Sequence, residues 1–133
     1  MAALIDSSVF IAGERGQIEL ADLLASLGGE PLALSAVTAS ELLYGLHRAR
    51  TITQRERRND YVEAILAQIT VLAFDLTVAR VHSALSAELD RKGGQLGAHD
   101  LMIAATAMAH DYRVATRDLR SFPKIPGLET FRI

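Results

Sequence analysis

Asp6 directly follows the short apolar run Ala2–Ile5, and Asp118 lies two residues beyond Thr116, where another such run ends. Glu41 falls in the first turn of the helix expected after Leu32–Leu34, and Asp100 opens the apolar stretch Leu101–Ala109. In open α/β sheets, ligands bind beyond the carboxyl ends of the strands. Four carboxylates from distant parts of the chain would therefore converge on one sheet edge. Clustered carboxylates repel one another, which raises some of their pKa values unless a cation joins them. Hard oxygen donors in a chain with no cysteine suit Mg2+ or Mn2+. Mg2+ keeps several waters and takes one or two carboxylates plus phosphate oxygens. Such a site can activate water and stabilise charge on a phosphodiester, and two ions would sit about 4 Å apart.

Each acid also has a purely structural explanation. Asp6, with Ser7 and Ser8, can cap a helix. Thr38-x-x-Glu41 fits a capping box, and so does Thr53-x-x-Glu56, which carries no assigned chemistry. Asp100 can complement a helix dipole, and Asp118 can form an Asx-turn. The four differ from most of the chain's sixteen acids in their setting. Glu14, Glu19, Asp22, Glu30, Glu63, Glu88 and Asp90 flank or oppose apolar stripes, whereas Asp100 is fixed to the most apolar helix in the sequence.

The elements that position these groups follow from periodicity. Leu20, Leu23, Leu24 and Leu27 mark a helix stopped by Gly28-Gly29. Tyr61, Val62, Ile65, Leu66 and Ile69 mark another, and Val78, Val81, Leu85 and Leu89 a third, closed by Gly93-Gly94. Leu101–Ala109 is apolar all round except Thr106 and reads as a fully buried helix. Ala2–Ile5, Leu32–Leu34, Val71–Phe74 and Arg113–Thr116 suit buried strands, with Thr130–Arg132 a weaker candidate. Strand alternating with helix predicts an α/β domain with a mostly parallel sheet of four or five strands, covered on both faces.

At 133 residues the expectation is a single domain, 1–133. Half the residues are hydrophobic and 23% are charged, a globular rather than disordered composition. The absence of cysteine excludes disulfides and thiolate metal sites. A net charge of −2 means that nucleic acid would be held by a local patch or a metal, not by a global field. No run approaches the roughly 18 apolar residues of a membrane span. The opening Met-Ala-Ala-Leu-Ile-Asp lacks the features of a signal peptide, so a cytoplasmic location is expected.

Four segments together resemble PIN-domain ribonucleases, in particular the VapC-type toxins of toxin–antitoxin modules. They are Leu4-Ile5-Asp6-Ser7-Ser8; Thr38-Ala39-Ser40-Glu41-Leu42 with Gly45; His99-Asp100-Leu101-Met102-Ile103-Ala104-Ala105; and Thr116-Arg117-Asp118 followed by Phe122. The resemblance spans nearly the whole chain. It implies a three-layer α/β/α fold and a metal-dependent endoribonuclease. Asp6, Glu41, Asp100 and Asp118 would form the acidic quartet around Mg2+ or Mn2+. Asp6 and Asp100 would be the firmest ligands, with Glu41 and Asp118 direct or water-mediated. Ser8 and Thr116 would orient the carboxylates. The fourth position is often Asn in this family, so Asp118 completes a full acidic set. The resemblance also implies a homodimer and a small VapB-like antitoxin, whose C-terminal segment would wrap the toxin and place a basic or blocking residue at the acidic site. Apolar positions such as Leu42, Leu43 and Leu46 are compatible with a dimer.

Among the basic residues, Arg113, Arg117, Arg120 and Lys124 cluster near Asp118, and Arg117 and Arg120 are candidate RNA backbone contacts. Arg48, Arg50, Arg55, Arg57 and Arg58 read instead as a solvated helix face. His47, His82, His99 and His110 share no i,i+4 spacing and form no H-E-x-x-H, which disfavours a zinc hydrolase. His99, next to Asp100, is placed to touch substrate, but a surface or capping role suits it better. Seven aromatics are too few for a base-stacking platform of the RRM or OB type. Two other readings stand beside the ribonuclease. One is a catalytically silent PIN-fold module that binds RNA or protein. The other is a receiver-like signalling domain, disfavoured because Asp6 stands alone and Lys92 and Lys124 lie in turn-like segments.

Overall fold

A computed structural model describes residues 2–133. In chain order the elements are β1 (Ala3–Ile5), α1 (Ser7–Glu14), α2 (Leu20–Ser26), β2 (Leu32–Ser35), α3 (Ala36–His47), α4 (Ile52–Gln68), β3 (Thr70–Leu72), α5 (Leu76–Arg91), α6 (Ala98–Ala109), β4 (Arg113–Thr116) and β5 (Thr130–Arg132). The strands form one sheet in the order β3-β2-β1-β4-β5, and every neighbouring pair is parallel.

Alternation along the central strands builds the three layers. Ile5, Leu34 and Ala115 face one core, shared with Val9, Phe10, Leu23, Leu42, Val62 and Ile65 from α1 to α4. Leu4, Ala33 and Val114 face the other, shared with Leu85 of α5 and Ile103, Ala104 and Ala107 of α6. Strands buried on both faces read as unbroken apolar runs, as β1 and β4 do. The α6 core, Ile103–Ala107, is buried as expected, while its ends at Leu101, Met102, Met108 and Ala109 are half-buried.

Four expectations need correction. The segment expected as a buried strand at Val71–Phe74 is β3, an edge strand over Thr70–Leu72, with Val71 40% exposed. An edge strand has a neighbour on one side only, and short apolar runs do not reveal that. Neither capping box forms. Ser35 caps α3 by accepting from the Thr38 N–H, and Thr51 caps α4 by accepting from the Gln54 N–H. With α3 starting at Ala36, Glu41 lies in its second turn. Leu42 and Leu46 are buried, leaving Leu43 and Tyr44 as the exposed apolar positions of α3.

The strand order reverses between β1 and β4. From β1 the chain runs outward through β2 to β3, and from β4 it runs to β5 on the other side. A crevice opens beyond the carboxyl ends of two strands that diverge in this way. Asp6 follows β1 and Asp118 follows β4 at that point.

Candidate active site

Asp6 is only 3% exposed. It occupies the N-cap position of α1, yet its side chain makes no capping hydrogen bond. Its Oδ2 instead accepts from the Ser8 hydroxyl at 2.7 Å and the Thr116 hydroxyl at 2.9 Å. A buried carboxylate is costly unless hydrogen-bonded or paired, and these two donors meet that need. Ser8 also accepts from the Arg117 N–H at 3.0 Å, and Thr116 from the Asp118 N–H at 2.9 Å. Ser8 and Thr116 therefore tie the end of β1 to the loop after β4, as expected of residues that orient a carboxylate.

Glu41 reaches the same crevice from α3. Its Oε2 accepts from the Ser7 hydroxyl at 3.3 Å, and His99 Nδ1 stands 3.7 Å from Oε1. Oε1 is buried without a hydrogen-bond partner. Burial pushes the Glu41 carboxyl above the ordinary range. The Asp6 and Asp100 carboxylates push the same way, against His99 and the Ser7 hydroxyl.

Asp100 stands in the first turn of α6, whose N-cap is Gly97. Burial raises its pKa, with the Asp6 and Asp118 carboxylates adding to the rise. The nearby Ser121 hydroxyl and His99 oppose it. The expected rise from clustering is present, but loss of hydration ranks ahead of mutual repulsion for both acids.

Asp118 does form the Asx-turn, since its Oδ1 accepts from the Arg120 N–H at 2.9 Å. Of the two candidate RNA contacts, Arg117 sends its guanidinium to the Ile133 carbonyl at 3.4 Å. Arg120 is 92% exposed and grazes Asp118 Oδ1 at 3.5 Å.

Asp6, Glu41, Asp100 and Asp118 thus come to one end of the sheet and act on one another electrostatically. Among the described residues, no three acidic or histidine side chains stand close enough together to hold a metal ion. The donor set nevertheless fits a hard divalent cation. It is all oxygen, partial burial raises the pKa of Glu41 and Asp100, and Glu41 Oε1 has no hydrogen-bond partner. The sequence did not single out Ser7 or Ser121, and for His99 it favoured a surface or capping role over contact with substrate. Ser7 was the legible one: successive helical residues point about 100° apart, so Ser7 and Ser8 had to serve different partners.

No helix among the described residues is long and apolar enough to cross a membrane. The PIN domain family profile matches residues 3–128. Over 133 residues the chain is 29% identical to a ribonuclease VapC from Rickettsia bellii, covering 100% of this chain and 97% of the relative. It is 36% identical over 104 residues to a tRNA(fMet)-specific endonuclease VapC from Salmonella typhimurium, covering 77% of this chain and 76% of that protein. The crystal structure of DNA-bound VapBC from Salmonella typhimurium aligns with a TM-score of 0.88 at 29% identity, over 99% of this chain and 98% of that one. The chain belongs to the PIN-domain family, among its VapC-type ribonucleases.

Proposed function

We propose that residues 1–133 act as one catalytic domain, a metal-dependent endoribonuclease toxin that hydrolyses RNA phosphodiester bonds and is neutralised by a VapB-like antitoxin. The observation that carries the reading is the convergence of four carboxylates at the β1/β4 crevice, with Glu41 Oε1 buried and unpartnered. Asp6 and Asp100 hold Mg2+ or Mn2+, and Glu41 and Asp118 assist directly or through water. When bound, the ion supplies Lewis-acid activation of water and stabilises charge on the phosphodiester. Ser8 and Thr116 hold the Asp6 carboxylate in one rotamer by their two hydrogen bonds to Oδ2. Ser7 and His99 flank Glu41 and set its direction.

The exposed Leu43 and Val71 on the α3/β3 edge support a homodimer. The domain works in the cytoplasm, where RNA and antitoxin are both present. Transfer RNA is the first substrate to try, because a relative is named for cutting one. The test is cleavage of total RNA in Mn2+ by the wild-type chain, Asp6→Asn and Asp100→Asn. Each variant should fold and lose at least about a hundredfold in rate. A variant that cuts at the wild-type rate would falsify the site. A wild-type chain that binds RNA but never cuts it would favour the silent module.

A further inference from the structure

Beside the acidic crevice lies an open groove of about 670 Å³ between α1, α3 and α4, and Glu41 belongs to its lining. From α3 and its C-cap the groove takes Glu41, Tyr44, Gly45 and Arg48, with Leu42 at its floor. Their i, i+3, i+4, i+7 spacing is one stripe of the helix. The stripe runs from the crevice at Glu41 to Arg48, about 10 Å further along the axis. Opposite it stand Arg15, from the end of α1, and Arg50 and Arg58, from the entry and face of α4.

The arginines divide into two kinds. Arg58 is committed to structure: its Nε donates to Glu14 Oε1 at 2.9 Å, and another guanidinium N–H donates to the Gly45 carbonyl at 2.8 Å. Arg15, Arg48 and Arg50 are exposed and form no ion pair among the described residues. Tyr44 is 61% exposed at the groove's rim, with the Arg48 guanidinium 6.0 Å from its ring centre. Unneutralised arginines alternating with an exposed aromatic ring form the recognition chemistry of a single nucleic-acid strand, in which cations take phosphates and the ring stacks a base. In a chain of net charge −2, this is the kind of local patch that such binding needs.

We propose that this groove seats the RNA strand next to the scissile phosphate, with Arg15, Arg48 and Arg50 on backbone phosphates and Tyr44 stacking one base. The proposal rests on the ribonuclease reading for the direction of the strand, which enters the crevice past Glu41. It revises the view of Arg48 and Arg50 as a merely solvated face. Arg55 and Arg57 do not line the groove and keep that role.

The test measures binding of a short, mixed-sequence, labelled single-stranded RNA in EDTA across a salt series, so that no cleavage intervenes. The variants are Arg48→Gln/Arg50→Gln, Tyr44→Ala and Tyr44→Phe, all at exposed positions. Removing two phosphate contacts should make the slope of log affinity against log salt shallower by about 1.4. Tyr44→Ala should weaken binding about tenfold at every salt concentration with the slope unchanged, while Tyr44→Phe stays within about twofold. An unchanged slope in the double variant, or no salt-dependent binding by the wild type, overturns the proposal. So does unchanged RNA binding by variants that no longer hold the C-terminal peptide of the antitoxin, because the groove then belongs to a protein partner. Cleavage by the wild type in Mn2+ is scored separately. A chain that binds through the groove but cuts nothing keeps this proposal and loses the ribonuclease reading.

Discussion

The Thr116 hydroxyl donates to Asp6 Oδ2 at 2.9 Å, joining residues 110 positions apart across the reversal of strand order. Both side chains are buried, and the same hydroxyl oxygen accepts from the Asp118 N–H. Thr116→Val keeps the shape, leaves the Asp118 N–H without its acceptor and takes one of two donors from Asp6 Oδ2. It should cost about 1–3 kcal/mol in urea unfolding and weaken Mn2+ binding roughly 10- to 100-fold. Thr116→Ser should recover most of both. A valine variant with wild-type cation affinity would remove Thr116 from the site.

Glu41 and Asp100 ionise less readily in the folded chain than in the unfolded one. Their charge therefore opposes folding. The penalty is absent below the ordinary carboxylate range and complete above the raised values. At neutral pH in EDTA, Glu41→Gln and Asp100→Asn should each melt a few degrees above the wild type. Mg2+ or Mn2+ should raise the wild-type Tm and raise the variants' less, since a bound cation relieves a penalty they no longer carry. Variants that melt below the wild type in EDTA would contradict this balance.

At the opposite end of the sheet, Arg113 donates to both Glu30 carboxylate oxygens at 2.7 and 3.0 Å, with its guanidinium carbon 4.0 Å from the Phe131 ring centre. The pair is mostly buried, and Arg113 Nε has no partner. Glu30→Ala should cost about 1–3 kcal/mol by leaving the guanidinium poorly paired. Cleavage by the folded fraction should not change, because neither residue approaches the crevice. A fall in kcat at full occupancy of the folded state would show the two ends to be coupled.

Tyr61 packs its hydroxyl against Gly13, where a Cβ would collide with it, and donates to the Phe10 carbonyl at 2.7 Å. Burial, aided by the Glu14 carboxylate, pushes its phenol up to about 12 from 10.0. The unfolded chain ionises first, so this contribution to stability is intact below pH 10.0 and is lost as pH rises to about 12. The urea midpoint should fall across that window in the wild type and less steeply in Tyr61→Phe. The variant should start about 1 kcal/mol lower at neutral pH through the lost hydrogen bond.

Asp6 and Asp118 were legible because each follows an apolar run too short for a helix, and parallel strands bring such positions to one edge. Asp100 was legible because a charge at the head of so apolar a helix needs a purpose. The caps were misread for a local reason. Ser35 and Thr51 each precede a Ser/Thr-x-x-acid pattern that imitates a cap, and where the helix actually begins decides which hydroxyl is used. The edge position of β3 depends on strand order, which no run of residues states.

Periodicity alone determined the alternation of strand and helix, because it survives without contacts, and four short motifs carried the resemblance to the family and the expectation of an acidic quartet. Only the tertiary structure decided that Ser8 and Thr116 spend their hydroxyls on one oxygen of Asp6. It alone faced His99 toward Glu41 and gathered Arg15, Arg48 and Arg50 about one groove while turning Arg117 away. These relationships join side chains far apart in sequence, and they depend on the rotational phase of each helix and on the hydrogen bonds competing for each group.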